Sequence, residues 1–363
     1  MNKFYEFEEQ IKGKTLLGVG PMSKCVTDSV ISLANEYKIP ILLIASRRQI
    51  ECEELGGGYV NNWTTEAFVE YVRVNDKGGY VLLARDHGGP FQGKNEKDKI
   101  AYEEAMKSCL ISYEADIKAG FDIIHIDPSL LHRATFDELV EDIKYLFTKC
   151  EEFAAKYNRD LVYETGTEEA NGGTSDLEGF ANLVREVKKI SPKIKFVVGN
   201  TGTLVKEMRN VGSINLEQTK ELVRICNENG LLLKEHNLDY VDDVDPKVLS
   251  QHPIVGIHSA NVAPEFGVVE TKYLLDYLCG NDKRDFSRFI ELAVESKTWE
   301  KWLVGDRQTS YLDKAYICGH YIFSHPEIKK MRNKTSAKEE QYFIENISNA
   351  IKLYLENFGW IQC

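Results

Sequence analysis

Residues 81–126 read VLLARDHGGPFQGKNEKDKIAYEEAMKSCLISYEADIKAGFDIIHI, and this stretch contains one strand–helix–strand unit. The apolar runs at its two ends have strand length, and the segment between them has helical periodicity. Both runs are continuously apolar rather than alternating, which is typical of parallel strands covered by helices. The unit therefore predicts a parallel α/β architecture.

The same alternation of apolar runs and helical segments extends through most of the chain. About eight such units close a (β/α)8 barrel, so we predict a TIM barrel over residues 1–280. An open doubly wound sheet is the alternative, but it rarely needs this many units. The predicted strands lie at 15–20, 40–46, 80–87, 122–129, 160–168, 195–202, 231–237 and 254–264. Ser23, Thr64, Asp176 and Asn215 are the predicted helix caps.

After about residue 280 the alternation stops. Two segments with helical character follow, DFSRFIELAVESKTWEKWLVGD and SAKEEQYFIENISNAIKLYLENF. No linker rich in proline or glycine separates them from the barrel. We therefore expect residues 281–363 to form a helical C-terminal extension that packs on the barrel.

Composition narrows the class of partner. The chain has 363 residues and a formal net charge of −12, so nucleic acid and anionic membranes are not expected partners. No apolar run approaches the roughly 20 residues that cross a bilayer, and the first residues lack the apolar core of a secretory signal. Eight scattered cysteines without a C-x-x-C pair indicate a reducing compartment. We expect a cytoplasmic protein.

Polar side chains end six successive predicted strands, from the third to the eighth. In a barrel these ends meet at one mouth, where active sites form. Burying ionisable groups costs free energy unless they are paired, hydrogen-bonded or bound to a metal. The groups are Asp86 and His87, His125 and Asp127, Glu164 and Glu168, Asn200 and Thr201, Lys234 and His236, and His258, Ser259 and Asn261.

Two imidazoles from different strands, with a carboxylate or amide nearby, can hold a zinc-like ion and leave one position open. Such a site polarises a sugar carbonyl, and a separate acid such as Asp86 can move the proton of an aldol or retro-aldol step. His87 and His236 are the candidate imidazoles, whereas His125 is interpreted as a core histidine. An ion pair between Asp86 and Arg85 is the structural alternative. Lys234 leaves a Schiff-base route open.

Several blocks together resemble the non-catalytic subunit family of class II tagatose-bisphosphate aldolases. The similarity runs from about Val19 to Lys314 and includes the segment RRQIECEELGGGYV, with Gln49 and Gly57-Gly58-Tyr59. Through that family the chain is distantly similar to the zinc-dependent class II aldolases, which are barrels that cleave ketose bisphosphates. The other blocks are ARDHGGPF, GFDIIHIDPS, YETGTEE, LLLKEHNLDY and TSYLDKAY.

The resemblance implies roles for individual residues. It makes Asp86 the proton-transfer acid and His87 and His236 ligands of Zn²⁺ or another divalent metal. It also implies that Asn261, with Ser259 nearby, contacts the substrate. Three further candidates for sugar binding are Asn200, Asp127 and Gln49.

One ligand of the family pattern is missing. The catalytic class II enzymes have a third histidine at the end of strand six, where this chain has VVGNTGT with Asn200. Glu168 or His258 is the candidate replacement, and Glu168 is also a second catalytic candidate.

Three functions remain open from the sequence. The first is metal-dependent aldol or retro-aldol chemistry on a ketose or ketose phosphate. The second is an accessory role that stabilises a catalytic aldolase subunit, and the third is a metal-dependent sugar epimerase. The expected partners are a small sugar or sugar phosphate, a catalytic aldolase subunit under the accessory reading, and further copies of the chain in a homo-oligomer.

Overall fold

The computed structural model describes the chain except residues 1, 95, 97–98, 132, 134, 167–172, 242–245, 306–307 and 363. Eight parallel strands form a closed barrel in chain order, which confirms the predicted (β/α)8 architecture. The strands are β1 (Leu16–Val19), β2 (Ile41–Ser46), β3 (Val81–Asp86), β4 (Ile123–Ile126), β5 (Val162–Gly166), β6 (Ile194–Val198), β7 (Leu232–Glu235) and β8 (Ser259–Val262).

Helices follow the strands and cover the barrel. The first helix, α1 (Glu8–Ile11), precedes β1. In the part of the chain that the structure describes, seven α-helices lie between β1 and β8: α2 (Lys24–Tyr37), α3 (Thr65–Asn75), α4 (Tyr102–Ala119), α5 (Phe136–Lys156), α6 (Leu177–Ile190), α7 (Leu216–Glu228) and α8 (Pro246–Val255). The helix after β8 is α9 (Pro264–Asn281). No helix in the described ranges has the length and apolar character needed to cross a membrane.

The four predicted helix caps are confirmed. Ser23, Thr64, Asp176 and Asn215 are the N-caps of α2, α3, α6 and α7, and each side chain accepts a hydrogen bond from the backbone N–H three residues later. These bonds satisfy N–H groups that a helix start leaves without an internal partner. Local sequence therefore fixes where these outer helices begin.

Strand eight begins later than predicted. Ile254 and Val255 belong to the end of α8, and β8 starts only at Ser259. The apolar run predicted a longer strand because two of its residues are buried without being in one. Val255 is buried at the end of a helix, and Ile257 is buried in the connection that follows. A short apolar run does not by itself distinguish these states from a strand.

Beyond the barrel, the chain continues in helices. They are α10 (Lys283–Glu295), α11 (Tyr311–Cys318), α12 (Pro326–Arg332) and α13 (Ala337–Asn357). The last helix returns to the barrel: Ile347, Ile351 and Tyr354 belong to the same buried cluster as the strands. A second apolar cluster joins α9 to the helices that follow.

A short hairpin after β6 was not predicted. Val205–Lys206 pairs antiparallel with Arg209–Asn210. The hairpin holds the single turn Glu300–Trp302, because Lys206 Nζ donates to the carbonyl of Lys301 at 3.0 Å and the N–H of Glu207 donates to that of Trp302 at 2.7 Å. The post-barrel segment is thereby tied to the barrel mouth.

Candidate functional site

Three histidine side chains from three strands or strand ends surround one acid. The ring centroids of His87, His125 and His236 lie 5.5–6.0 Å apart, pair by pair. Asp86 carboxylate oxygens lie 3.7–3.8 Å from a nitrogen of each ring. Oδ1 of Asp86 is buried and has no hydrogen-bond partner. The end of β3 thus places its carboxylate among three imidazoles.

Asp86 is not paired with Arg85, so the structural alternative for this acid does not hold. Arg85 is fully buried on the other face of β3, where its Nε and Nη2 donate to both carboxylate oxygens of Asp116 at 2.6 and 2.5 Å. Strand alternation explains the separation, since successive side chains point to opposite faces. Asp86 is left facing the barrel interior.

His87 is oriented by a backbone turn and by a carboxylate. Its φ of 45° lies in the left-handed region, which residues other than glycine adopt infrequently. Its Nδ1 lies 3.1 Å from Oδ2 of Asp127, which is 1% exposed. An imidazole that donates through Nδ1 to an ionised carboxylate has its proton on Nδ1, which makes Nε2 the nitrogen that can bind a metal.

The two glycines after His87 allow close packing against neighbouring residues. A Cβ atom on Gly89 would lie 1.6 Å from the carbonyl oxygen of Asp127, and one on Gly88 would lie 2.5 Å from the ring of Tyr113. These glycines allow the β3–α4 connection to pack on the end of β4. Their effect is to hold Asp127 beside His87.

A carboxylate also holds His236, but through the other ring nitrogen. Its Nε2 lies 2.9 Å from Oε1 of Glu164, while Nζ of Lys234 donates to Oε2 at 2.5 Å. Lys234 and His236 therefore share one face of the chain, as predicted. The intervening Glu235 points outward, where its Oε2 lies 2.7 Å from Nε2 of His252. All of these side chains are at most 4% exposed.

Electrostatics keep the interior acids ionised. Burial raises the pKa of Asp86, but the neighbouring imidazoles, led by His87 and His236, outweigh burial and hold it well below its usual value. Asp127 behaves alike, because its bond with His87 and the charge of His125 offset burial and lower its pKa. For Glu164, Lys234 and the imidazoles outweigh burial and lower the pKa to about 2. An ionised Asp86 is a proton acceptor.

A cavity of about 360 Å³ lies above these groups and reaches Asp86, His87 and His236. This volume is near the lower end of the range for small-molecule sites, about 300–1,000 Å³. Asn261 also lines it, is 3% exposed, and has no hydrogen-bond partner on either amide atom. Gly18 makes room for that amide, since a Cβ there would lie 2.3 Å from Oδ1 of Asn261.

Gln49, another predicted binding residue, also lines the cavity. It is 6% exposed, and its Oε1 accepts a hydrogen bond from the N–H of Ser46 at 2.8 Å. Its Nε2 contacts Sδ of Met22 at 2.9 Å. These contacts fix the amide at the end of β2.

Other predicted residues are not brought to the cavity. Ser259 is the first residue of β8, and its Oγ donates to the carbonyl of Leu16 at 3.0 Å. Asn200 binds the N–H of Gly202 through Oδ1 and lies outside the lining. His258 precedes β8 at the opposite end of the barrel. Glu168 falls outside the described residues.

Asp127 is likewise absent from the cavity lining. Its oxygens form hydrogen bonds with His87, Gln92 and the N–H of Ser129. It therefore acts on the site through His87. The substrate contact expected of Asp127 is replaced in this structure by an orienting contact.

Sequence reasoning placed His125 in the core, and it is 1% exposed. Its ring nevertheless belongs to the cluster: Nδ1 lies 3.7 Å from Glu164 and 3.8 Å from Asp86. The pairing of His125 with Glu164 across β4 and β5 was the available signal, because paired residues of parallel strands face the same side. Three cavity residues of the post-barrel segment, Lys301, Trp302 and Tyr321, gave no sequence signal.

The donor set fits a divalent cation. Asp86, His125, Glu164 and His236 each offer a ligand atom within 4.8 Å of the others, and His87, His125 and Asp127 form an overlapping group. Nε2 of His125 is buried without a hydrogen-bond partner. Mixed imidazole and carboxylate donors suit zinc and related ions. His125 belongs to both groups and supplies an imidazole that strand six lacks.

Comparison with known proteins adds one partial sequence relative. No family model matches the chain. Over 204 residues it is 26% identical to 4-hydroxy-3-methylbut-2-enyl diphosphate reductase of Tropheryma whipplei (strain TW08/27), a match covering 55% of each protein. The chain thus spans about half the length of this curated relative.

Solved structures share the fold over nearly the whole chain. A probable tagatose 6-phosphate kinase from Sinorhizobium meliloti 1021 has a TM-score of 0.69 at 19% identity, covering 95% of this chain and 91% of its own. A fructose-bisphosphate aldolase from Campylobacter jejuni gives 0.60 at 13%, covering 99% and 94%. A fructuronate–tagaturonate epimerase from Cohnella laeviribosi gives 0.62 at 11%, covering 96% and 82%. At these identities the likeness shows the fold.

Proposed function

We propose that the chain is a metal-dependent enzyme of sugar metabolism that makes or breaks a carbon–carbon bond of a ketose or ketose phosphate. The observation that carries this proposal is the buried Asp86 carboxylate among three imidazoles at the floor of a sugar-sized cavity. A structural scaffold has no physical need for this concentration of ionisable groups.

His87, His125 and His236 would hold the metal, with Asp127 and Glu164 orienting the outer two rings. When bound, a divalent ion would supply Lewis-acid polarisation of the substrate carbonyl. Hydrogen-bonded carboxylates behind ligand histidines fix the tautomer and raise the basicity of the ring. Glu164, a carboxylate of the four-residue donor group, would lie beside the imidazoles as the partner of His236 and Lys234.

Asp86 moves the proton in the proposed reaction. In the cleavage direction its Oδ1 takes the proton from the hydroxyl group on the carbon that becomes the aldehyde. The adjacent carbon–carbon bond breaks, and its electron pair passes into the enediolate of the former ketone. Asn261 amide atoms, which lack protein partners, hydrogen-bond substrate oxygens. General acid–base catalysis of this kind contributes about 10²–10⁴-fold in rate.

A sugar epimerase is the second candidate. The same proton acceptor can invert a hydroxyl-bearing carbon by removing a proton or by retro-aldol cleavage and re-addition. The cavity supports this reading as well, because its partnerless Asn261 amide lines the same cavity as Asp86 and would hold the carbonyl of either type of substrate. The fructuronate–tagaturonate epimerase with this fold makes uronates suitable substrates to assay.

The test is an assay of the purified full chain with added Zn²⁺, Mn²⁺ or Co²⁺ against ketose phosphates, free ketoses and uronates. Release of an aldehyde identifies a lyase, and a changed stereocentre in the NMR spectrum identifies an epimerase. Asp86→Asn should lower turnover about 10²–10⁴-fold, whereas the exposed Asp137→Asn on α5 should leave it unchanged.

Two results contradict the proposal. The first is no turnover with any metal and substrate. The second is turnover that appears only when a catalytic aldolase subunit is added and that survives Asp86→Asn. This second result identifies the chain as an accessory subunit.

A further inference from the structure

Two cations line the same cavity as the buried acid. Arg48 follows β2, and Lys301 comes from the post-barrel turn held by the hairpin. Nε of Arg48 donates to the carbonyl of Gln92 at 3.3 Å. Among the described residues, neither cation forms an ion pair. Both charges therefore remain available to a ligand.

Lys301 is held in place by its surroundings. Its Nζ lies 4.8 Å from the ring centroid of Trp302 and 4.8 Å from that of Tyr321. Although the residue as a whole is exposed, burial of its ammonium end, together with the Arg48 charge, lowers the pKa of Lys301 to about 8. The two positive charges thus lie close enough to repel each other. A bound anion relieves that repulsion.

No carboxylate of the cavity neutralises these cations. Oδ1 of Asp239 is committed to the start of α9, where it accepts hydrogen bonds from the N–H groups of Ala263 at 3.0 Å and Glu265 at 2.8 Å. Asp86 lies at the floor among the imidazoles. The described part of the cavity rim thus carries two positive charges in a chain whose net charge is −12.

We propose that Arg48 and Lys301 bind an anionic end group, a carboxylate or a phosphate, of the sugar whose reacting end meets Asp86 and Asn261. This proposal rests on the proposed function for the sugar nature of the ligand. The planar guanidinium of Arg48 matches the paired oxygens of either anion, and the Lys301 ammonium adds a point charge. Neutral ketoses would lack both contacts.

Calorimetric titration of the full chain tests the subsite without requiring turnover. The probes are inorganic phosphate, gluconate and the neutral alditol sorbitol. We expect one of the two anions to bind about tenfold more tightly than sorbitol. Which anion it is distinguishes a sugar phosphate from a sugar acid.

Arg48→Gln and Lys301→Gln should each weaken binding of that anion about tenfold and leave sorbitol binding unchanged. The matched control is Lys188→Gln, which removes one positive charge from the exposed face of α6. Equal binding of anions and sorbitol overturns the subsite, as does an equal loss in the control or the absence of anion binding.

The outcome separates this subsite from the proposed function. Anion binding that depends on Arg48, in a chain without turnover, supports the subsite and contradicts the enzyme. If the chain turns over neutral ketoses, and both Gln variants do so at the full rate, the result supports the enzyme and contradicts the subsite.

Discussion

Oδ2 of Asp127 lies 3.1 Å from Nδ1 of His87, so the end of β4 orients the histidine that follows β3. If His87 binds a metal through Nε2, this contact sets the tautomer and basicity of the ligand. The pair gives the most direct test of the proposed metal centre.

Asp127→Asn should lower the affinity for Zn²⁺ or Co²⁺ about 10–100-fold, because an amide cannot replace the ionised acceptor of Nδ1–H. Competition titration with a metal chelator measures the change. Asp137→Asn on the exposed side of α5 is the control and should keep the original affinity. Equal affinities in all three proteins would contradict a ligand role for His87.

His125→Gln should weaken metal binding by at least about tenfold, since the proposed centre then loses an imidazole ligand. The shape of the visible Co²⁺ spectrum gives a second readout, because the number of ligands determines it. Unchanged metal affinity and an unchanged spectrum in this variant would show that His125 is a packing residue and not a ligand.

Lys234 offers a test of the competing Schiff-base chemistry. Its ammonium is 1% exposed and held by Glu164, so borohydride treatment with a ketose substrate should leave the chain's mass unchanged. Mass spectrometry measures the outcome. A substrate adduct on Lys234 would replace the metal-dependent route by covalent catalysis.

Gly18→Ala should displace the Asn261 amide, since a Cβ at this position lies 2.3 Å from Oδ1. We expect weaker substrate binding, about tenfold, because a buried hydrogen-bonding amide loses its position. Gly280→Ala in α9 is the matched change, as no atom lies within 4 Å of the added methyl group. Equal substrate affinity in both variants would exclude Asn261 from recognition.

The buried pair of His252 and Glu235 predicts a pH dependence of stability. Burial lowers the pKa of His252, but Glu235 outweighs burial and raises it above the ordinary value of about 6.5. Because the folded-state value exceeds the unfolded one, the stabilisation is complete below about pH 6.5 and is lost as pH rises through the raised value.

His252→Gln should therefore destabilise the chain by about 3–5 kcal/mol near pH 6, and less at alkaline pH. Urea unfolding at several pH values measures the difference. For Glu235→Gln the loss of unfolding free energy should likewise become smaller as pH rises, because either change removes the pair. A difference that does not vary with pH would show that the imidazole is neutral in the folded chain.

The barrel was predictable because its signals are local. Continuous apolar strands and the caps at Ser23, Thr64, Asp176 and Asn215 are properties of short segments. The extent of β8 was not predictable, because buried residues of a helix end and a connection imitate a strand.

Part of the site was predictable for a similar reason. Asp86, His236 and Asn261 lie at or just after strand ends, and in a barrel these ends must meet at one mouth. The substrate role of Asp127 stays a prediction, and because β4 ends at Ile126, strand alternation does not determine where its side chain points. Lys301 reaches the cavity through contacts with a hairpin about 100 residues earlier in the sequence, which no local pattern encodes.

The cavity is lined both by residues of the barrel and by residues of the post-barrel turn that the hairpin holds. The reacting groups stand on barrel strands, whereas Lys301 is delivered by a segment whose backbone is fastened from outside the barrel. If the proposed function holds, exchange of the 300–302 turn would change which sugar binds without disturbing the groups at the floor of the cavity.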